Sequence, residues 1–486
     1  MVSELHWQDI KQQSFHELNM PQKSESKNFL IKHYENELQK ASRLWCSNNF
    51  AVITNNKLKL KRDGKFIPSQ AVIDLQKTIE ANLPLIRIEK LLMEVDALTG
   101  FSKHFKPLQG HQLRPKNFYK TLIAAIISQA TNLGIIATSA SVPGVSVDML
   151  RQVLCSYIYE ESLTAANAEI VNQHHLHPLS AAQGTGEISS SDAQRFGIRA
   201  NCLLASYYPR YYGYYDKAIG IYTHVSDQFS VFNTRAISCG LREALYVIDG
   251  LLENNTILKI KAHTTDTHGY TEIVFALCFL LGFYFMPRIR DLKDQQLYRI
   301  NKEVSYGEFD ALLTKTADID IVEEQWEAMI RVATSLKKRT TPAHVVVQRL
   351  TSGGPADRLT KAFINLGRII KTEYILRYIT DSELRHTVQL QLNKGEYRHR
   401  IPRWIFFAEQ GEFTTGDYEE IMNKASCLSL VSNAILFWNT IKIDGILKSL
   451  RAQGAVIENE TLSHISLLPF KHVLPNGTYF IEDIEN

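Results

Sequence analysis

Hydrophobic and polar positions repeat with a helical period along much of this chain of 486 residues. Phe29, Leu30, His33, Tyr34 and Leu38 fall on one face of a predicted helix, inside a polar, partly helical region covering residues 1–84. A short stretch with strand character, Phe50 to Thr54, follows, and then a basic turn around Lys61, Arg62 and Gly64. From Leu85 the period strengthens. LIRIEKLLMEV puts Ile88, Leu91, Leu92 and Val95 on one stripe, and TLIAAIISQATNLGIIA continues the habit. Residues 85–180 are therefore expected to form a helical scaffold.

The pattern changes after the turn-rich HPLSAAQGTGE. YDKAIGIYTHVSDQFSVF (215–232) carries the β-branched and aromatic content of strands. RAISCGLREALYVIDGLL predicts a helix, since Leu241, Ala244, Leu245, Ile248 and Leu252 recur at three- and four-residue steps. LKIKAHTTD predicts a strand, YTEIVFALCFLLG a helix and FYFMPRI another strand. Strands followed by alternating helix and strand describe a mixed sheet with helices packed on it, the α/β (α+β) class. We assign 181–291 to the first part of this core, 292–385 to a helical insertion and 386–486 to a helical C-terminal region, in which NAILFWNTIKIDGILKSLR is the clearest amphipathic segment.

Composition narrows the function classes. The chain is 45% hydrophobic and 22% charged, which excludes wholesale disorder. Its net charge of +3 does not by itself announce a nucleic-acid partner, so any DNA surface must come from local clusters. The six cysteines form no C-x-x-C pair, which argues against a zinc site or a disulfide framework and fits a reducing cytoplasm. The start of the chain has no apolar signal core, and the most apolar run, Tyr270 to Met286, contains Glu272. No membrane partner is expected.

Three carboxylates stand out by their settings. Asp192 sits where a loop with Gly184 and Gly186 hands over to a predicted strand. Asp266 ends a strand just before a helix. Glu396 lies in LNKGEYRHR, beside a glycine and ahead of Arg398, His399, Arg400 and Arg403. Attack of water or a 3′-hydroxyl on a phosphodiester needs an activated oxygen and a stabilised leaving oxygen. Two hard cations roughly 4 Å apart, held by carboxylate oxygens, supply both. Cations beside the glutamate would hold the DNA backbone. Against this, an Asp after a serine run, or before Thr-x-Gly, is commonly a cap or turn residue, and Glu396 pairs at helical spacing with Arg400. Intervals of 74 and 130 residues do not separate these readings.

The sequence around the carboxylates resembles the C-terminal half of Tn3-family transposases. The resemblance runs in order through LPLIRIEKLLMEVDALTGF (83–101), ATNLG (130–134) and VNQHHLHPLSAAQGTGEISSSDAQRF (171–196). It continues through VIDGLL (247–252), HTTDTHGYTEIVFALCFLLGFYFMPRIRDL (263–292), LNKGE (392–396), ILFWNT (435–440) and LSHISLLPFKHV (462–473). It implies an RNase H-like core in which Asp192, Asp266 and Glu396 are the DDE triad holding Mg²⁺, with Mn²⁺ as a substitute. The implied reactions are nicking at transposon ends and attack of the freed 3′-hydroxyls on target DNA, in replicative transposition by a homodimer on DNA. Ala193 follows the first Asp where the family usually has Gly, and His268 occupies a position that is more often small. Family members also carry a long N-terminal portion that recognises the terminal repeats. We find no counterpart here and expect a truncated copy or a separately encoded half.

Other features carry less. Arg288, Arg290, Lys394, Arg398, Arg400 and Arg403 are the expected DNA contacts; Lys337, Lys338 and Arg339 could also contact DNA, although an isolated charge run is more often a solvated face. His174, His175 and His177 lack a further soft ligand at metal spacing and predict a structural or DNA-adjacent role. The tyrosine run YYPRYYGYYD has no second block to supply a tyrosine-recombinase site. TSGGPADR lacks the Lys-Ser/Thr ending of a phosphate-binding loop. Two alternatives remain: a non-catalytic DNA-binding remnant of a transposase, and a nuclease of the same fold that only hydrolyses.

Overall fold

Strand-forming residues pair where the sequence places them, but the first long helix expected after them does not form. In the computed structural model, which describes residues 1–61, 68–108, 110, 115–240, 243–354 and 357–482, the 215–232 stretch becomes the strand Lys217–Ser226, a tight turn, and the start of a second strand, Val231–Ser238. RAIS, expected to open a helix, belongs to that second strand. Arg235 to Ser238 face Tyr222 to Ile219 in an antiparallel ladder, and only a 3₁₀ turn (Glu243–Leu245) and a short helix (Val247–Leu252) follow. The ladder overrides the helical spacing because Ala236 and Ile237 bury their side chains in the sheet, a gain that local propensity cannot match. Arg62 and Gly64 of the expected basic turn lie outside the described residues.

The chain divides into two compact units, each built from several segments. One consists of Ile67–Leu241, Asn254–Lys259 and Lys394–Asn486. Its sheet centres on Lys217–Ser226. One edge of that strand takes Ile188–Ile198, antiparallel, with Asp192 opposite Thr223; the other edge takes Ser206–Tyr207 and Val231–Ser238. The predicted helical scaffold is present as Ile88–Thr99, Phe118–Thr131, Gly134–Ser141, Val147–Tyr157 and Glu160–Leu176. Ile88–Thr99, Phe118–Thr131 and Glu160–Leu176 pack against Tyr418–Ala452, a helix of 35 residues, and the other two pack on Phe118–Thr131. The amphipathic segment read at 433–451 lies within it, but from Leu428 to Thr440 every residue is buried, so this stretch is a core helix and not a surface one. Asn433 bonds both backbone polar groups of the buried Val231, accepting from its N–H at 2.9 Å and donating to its carbonyl at 2.8 Å. That side chain ties the strand to the helix without leaving an unpaired backbone group in the core.

The other unit consists of Met1–Phe66, Arg242–Glu253 and Ile260–Asn393. Here the polar N-terminal region and the predicted insertion are a single helical assembly. Glu4–Glu17 and Lys23–Trp45 pack against Ile319–Lys337 and Arg358–Thr380. Trp7 and Trp326 are fully buried in it, and each keeps its indole N–H satisfied, on Glu327 and on the Pro21 carbonyl. The parallel strands Ala262–Thr265 and Tyr284–Phe285 flank the apolar helix Glu272–Leu281. Residues 292–316 hold only short 3₁₀ turns and two-residue strands, so the insertion is α-helical only from Ile319.

Gly367 lies where the helix Arg358–Thr380 crosses the start of Glu272–Leu281. A Cβ added there would fall on the backbone carbonyl of Glu272. Gly367→Ala is expected to lower stability by about 1–3 kcal/mol through forced overpacking, seen as a lower urea midpoint. An unchanged midpoint would mean that the two helices separate at no cost.

Candidate active site

Each predicted acid is held by a different kind of element. Asp192 lies in mid-strand, where the ladder with Lys217–Ser226 pairs the residues before and after it. Its side chain is partly exposed, and Oδ1 accepts from the N–H of Ala193 at 2.8 Å. Ser191, on the opposite face, meets the Tyr222 hydroxyl at 2.6 Å. Because strand side chains alternate, this contact belongs to the face away from Asp192.

Asp266 follows immediately on Ala262–Thr265. Its carboxylate accepts from the backbone N–H of His268 at 2.9 Å and lies 3.2 Å from that imidazole's Nδ1. This is the turn-capping arrangement that TDTHG predicts, and it leaves the carboxylate partly exposed. Gly269 is required for the tightness of this turn, since a Cβ there would stand 2.5 Å from the Thr265 side chain. In the same unit, a carboxylate oxygen of Glu243 lies within 4.8 Å of one on Asp266. Glu243 is 5% exposed. The sequence did not single it out, because REALYVIDG reads as the polar and apolar faces of one helix. Only the break into a strand end and a 3₁₀ turn sends this side chain inward.

Glu396 is exposed on the last turn of the helix Ser382–Arg398. Around it the basic residues divide sharply. Arg400 and Arg403 are exposed, and the Arg400 guanidinium stacks 4.4 Å from the Tyr397 ring. Lys394 and Arg398 are 7% and 3% exposed, so their cations sit behind the surface and not on it. Burial pulls Arg398 down to about 9. His399 approaches Asp192 at 4.0 Å, but burial first, and then the cations Arg398, Arg403 and Arg195, push its pKa down to about 3. The imidazole is therefore neutral, and the approach is not an ion pair. In the other unit Arg288 and Arg290 are exposed, and the backbone N–H of Arg288 extends the strand pairing to Thr265.

The histidine cluster resolves into three separate structural roles. His174 is buried between the hydroxyls of Thr440 and Ser230. His175 meets Gln228 at 2.8 Å, and His177 accepts the N–H of Leu179 at 3.2 Å. In VIDGLL, Asp249 is likewise structural: it accepts from the N–H groups of Ala343 and His344 and from the His344 ring, at 2.7 to 2.9 Å, and so caps the helix Ala343–Ser352.

The family model described as the Tn3 transposase DDE domain matches residues 90–479. The chain is 38% identical to the transposase for transposon Tn2501 of Escherichia coli over 82% of its own length and 40% of that protein. It is 35% identical to the transposase for Tn21 of Escherichia coli, over 92% of the chain and 45% of the relative. It is 36% identical to the transposase for Tn501 of Pseudomonas aeruginosa, over 88% and 43%. The chain thus spans less than half the length of these relatives. Among the described residues, no helix is long and apolar enough to cross a membrane.

His174 gives a pH test of this architecture. Burial lowers its pKa from 6.5 to about 3. Below pH 6.5 the unfolded chain takes up a proton that the folded chain refuses, so stability falls as pH falls. The slope approaches about 1.4 kcal/mol per pH unit for this group. Between pH 6.5 and 5 the wild type is expected to lose roughly 2 kcal/mol more than His174→Gln by urea unfolding. Parallel losses in the two proteins would show that the imidazole is protonated in the fold.

Proposed function

The chain belongs to the Tn3 transposase DDE-domain family, and from that premise we propose that it catalyses metal-dependent nicking and strand transfer on DNA, with Asp192, Asp266 and Glu396 as the metal-holding residues. The observation that carries this reading is the setting of Asp266: a carboxylate at a strand end, partly exposed, with a second carboxylate, Glu243, within 4.8 Å. Carboxylate oxygens suit a hard cation, Mg²⁺ or Mn²⁺, and Glu243 and Asp266 bring two such donors close together in one unit. When bound, a pair of such ions supplies an activated oxygen nucleophile and charge stabilisation on the leaving oxygen.

The protein's own contribution is position. The strand ladder denies Asp192 the freedom to turn away, and the Thr265–Gly269 turn does the same for Asp266. Arg288, Arg290, Arg400 and Arg403 present cations at the surface and are the residues we assign to the DNA backbone. Lys394 and Arg398, though basic, are too buried for that role in this conformation. Each of two transposon ends requires its own set of acids, so the working form is a homodimer on DNA, acting in the cytoplasm.

The test supplies pre-nicked transposon ends with a free 3′-hydroxyl, target DNA and Mn²⁺. Joined product is expected with the wild type and none with Asp192→Asn, Asp266→Asn or Glu396→Gln, while duplex binding persists. Binding without joining by the wild type, indifferent to metal, would identify a non-catalytic remnant instead. Hydrolysis without joining would identify a nuclease. If Glu243→Gln abolishes joining and Glu396→Gln does not, the third carboxylate is Glu243.

A further inference from the structure

A buried ammonium lies two residues from Glu396. Lys394 donates from Nζ to the carbonyl of Gln183 at 2.6 Å and to that of Asp227 at 2.7 Å, and it sits 5.2 Å from the centre of the Phe229 ring. The two carbonyls belong to loops that are themselves clamped. The Asp227 carboxylate accepts from the N–H groups of Thr185 and Gly186, both at 2.9 Å, and Gln228 donates to the Gly184 carbonyl at 2.8 Å. The next residue, Gly395, rests on the Asp192 strand: a Cβ there would stand 3.4 Å from Ser190 Oγ. Past Glu396, the carbonyl of His399 accepts from Gln194 Nε2 at 3.0 Å.

Glu396 therefore stands between two anchors. Lys394 ties the turn before it to the loops at 183 and 227, and Gln194 ties the turn after it to the strand that carries Asp192. Withdrawing an ammonium from water is costly, and here burial draws its pKa down to about 8. A cation serving DNA would avoid that cost by remaining outside. One serving geometry recovers it through two short hydrogen bonds from a charged donor.

We propose that Lys394 is a positioning residue for Glu396, setting that carboxylate relative to Asp192 by tying the end of its helix to the Gln183 and Asp227 carbonyls. The inference rests on the reading of Glu396 as a metal-holding residue. It predicts behaviour like that of an outer-shell partner, whose loss weakens metal affinity about 10–100-fold.

The test measures Mn²⁺ binding by the loss of the free-ion electron paramagnetic resonance signal, on the full chain. The proteins compared are the wild type, Lys394→Met, Gln194→Leu and Glu396→Gln. Lys394→Met keeps an unbranched apolar stem, one atom shorter, and removes the donors. Its Mn²⁺ dissociation constant is expected to rise about tenfold or more, with the salt dependence of duplex DNA binding unchanged. Gln194→Leu is expected to shift the affinity in the same direction, and it carries the test if Lys394→Met does not fold. Wild-type Mn²⁺ affinity in both variants, alongside a loss in Glu396→Gln, overturns the positioning role. So does a salt slope reduced by about one with unchanged Mn²⁺ affinity, since that marks a phosphate contact. Wild-type affinity in Glu396→Gln removes the premise, and the inference with it.

Discussion

The antiparallel ladder between Ile188–Ile198 and Lys217–Ser226 is the constraint on which the rest of the candidate chemistry depends. It fixes which way Asp192 points. Because strand side chains alternate, a slip of one residue would exchange Asp192 with Ser191 or Ala193 and turn the carboxylate to the other face. The register is held by what lies on both sides of it. Phe196 packs edge-on against Phe406 and Phe413, and Ser191 bonds the Tyr222 hydroxyl. A slip would therefore break apolar and polar contacts together. Metal-assisted phosphate chemistry tolerates little displacement of its oxygen donors, which makes a mid-strand position a suitable place for one of them.

Several residues in the most recognisable sequence blocks do architecture and not chemistry. Asp249 in VIDGLL caps a helix nearly a hundred residues further along the chain. His174 is neutral and buried between two hydroxyls. Lys394, in LNKGE, holds backbone carbonyls. Buried polar groups of this kind are costly unless fully bonded, and once bonded they specify one arrangement of loops and helices.

Much of the fold was legible because its signals are local. The strand content of 215–232, the helix Glu272–Leu281 and the strand before Asp266 follow from β-branched runs, apolar period and turn residues. The helix expected at 235–252 failed because strand pairing with 219–222 is a long-range fact that no local window contains. The same failure hid Glu243. It also explains why a basic run such as RHR was misleading: sequence shows that Arg398 and Arg400 are cations, but only packing shows that the first is buried and the second exposed. The assembly of residues 1–45 with 319–380 was invisible for the same reason, since nothing in either segment names the other.

Localised cleavage tests most directly whether Asp192, Asp266 and Glu396 are metal-holding residues. With Fe²⁺ in place of the native ion, ascorbate and peroxide generate hydroxyl radicals that cut the backbone close to wherever the ion is bound. The account predicts cuts in three places, around Asp192, Asp266 and Glu396, all suppressed together by excess Mg²⁺. Cuts confined to one of these places, or sites elsewhere in the chain that Mg²⁺ protects instead, would contradict it.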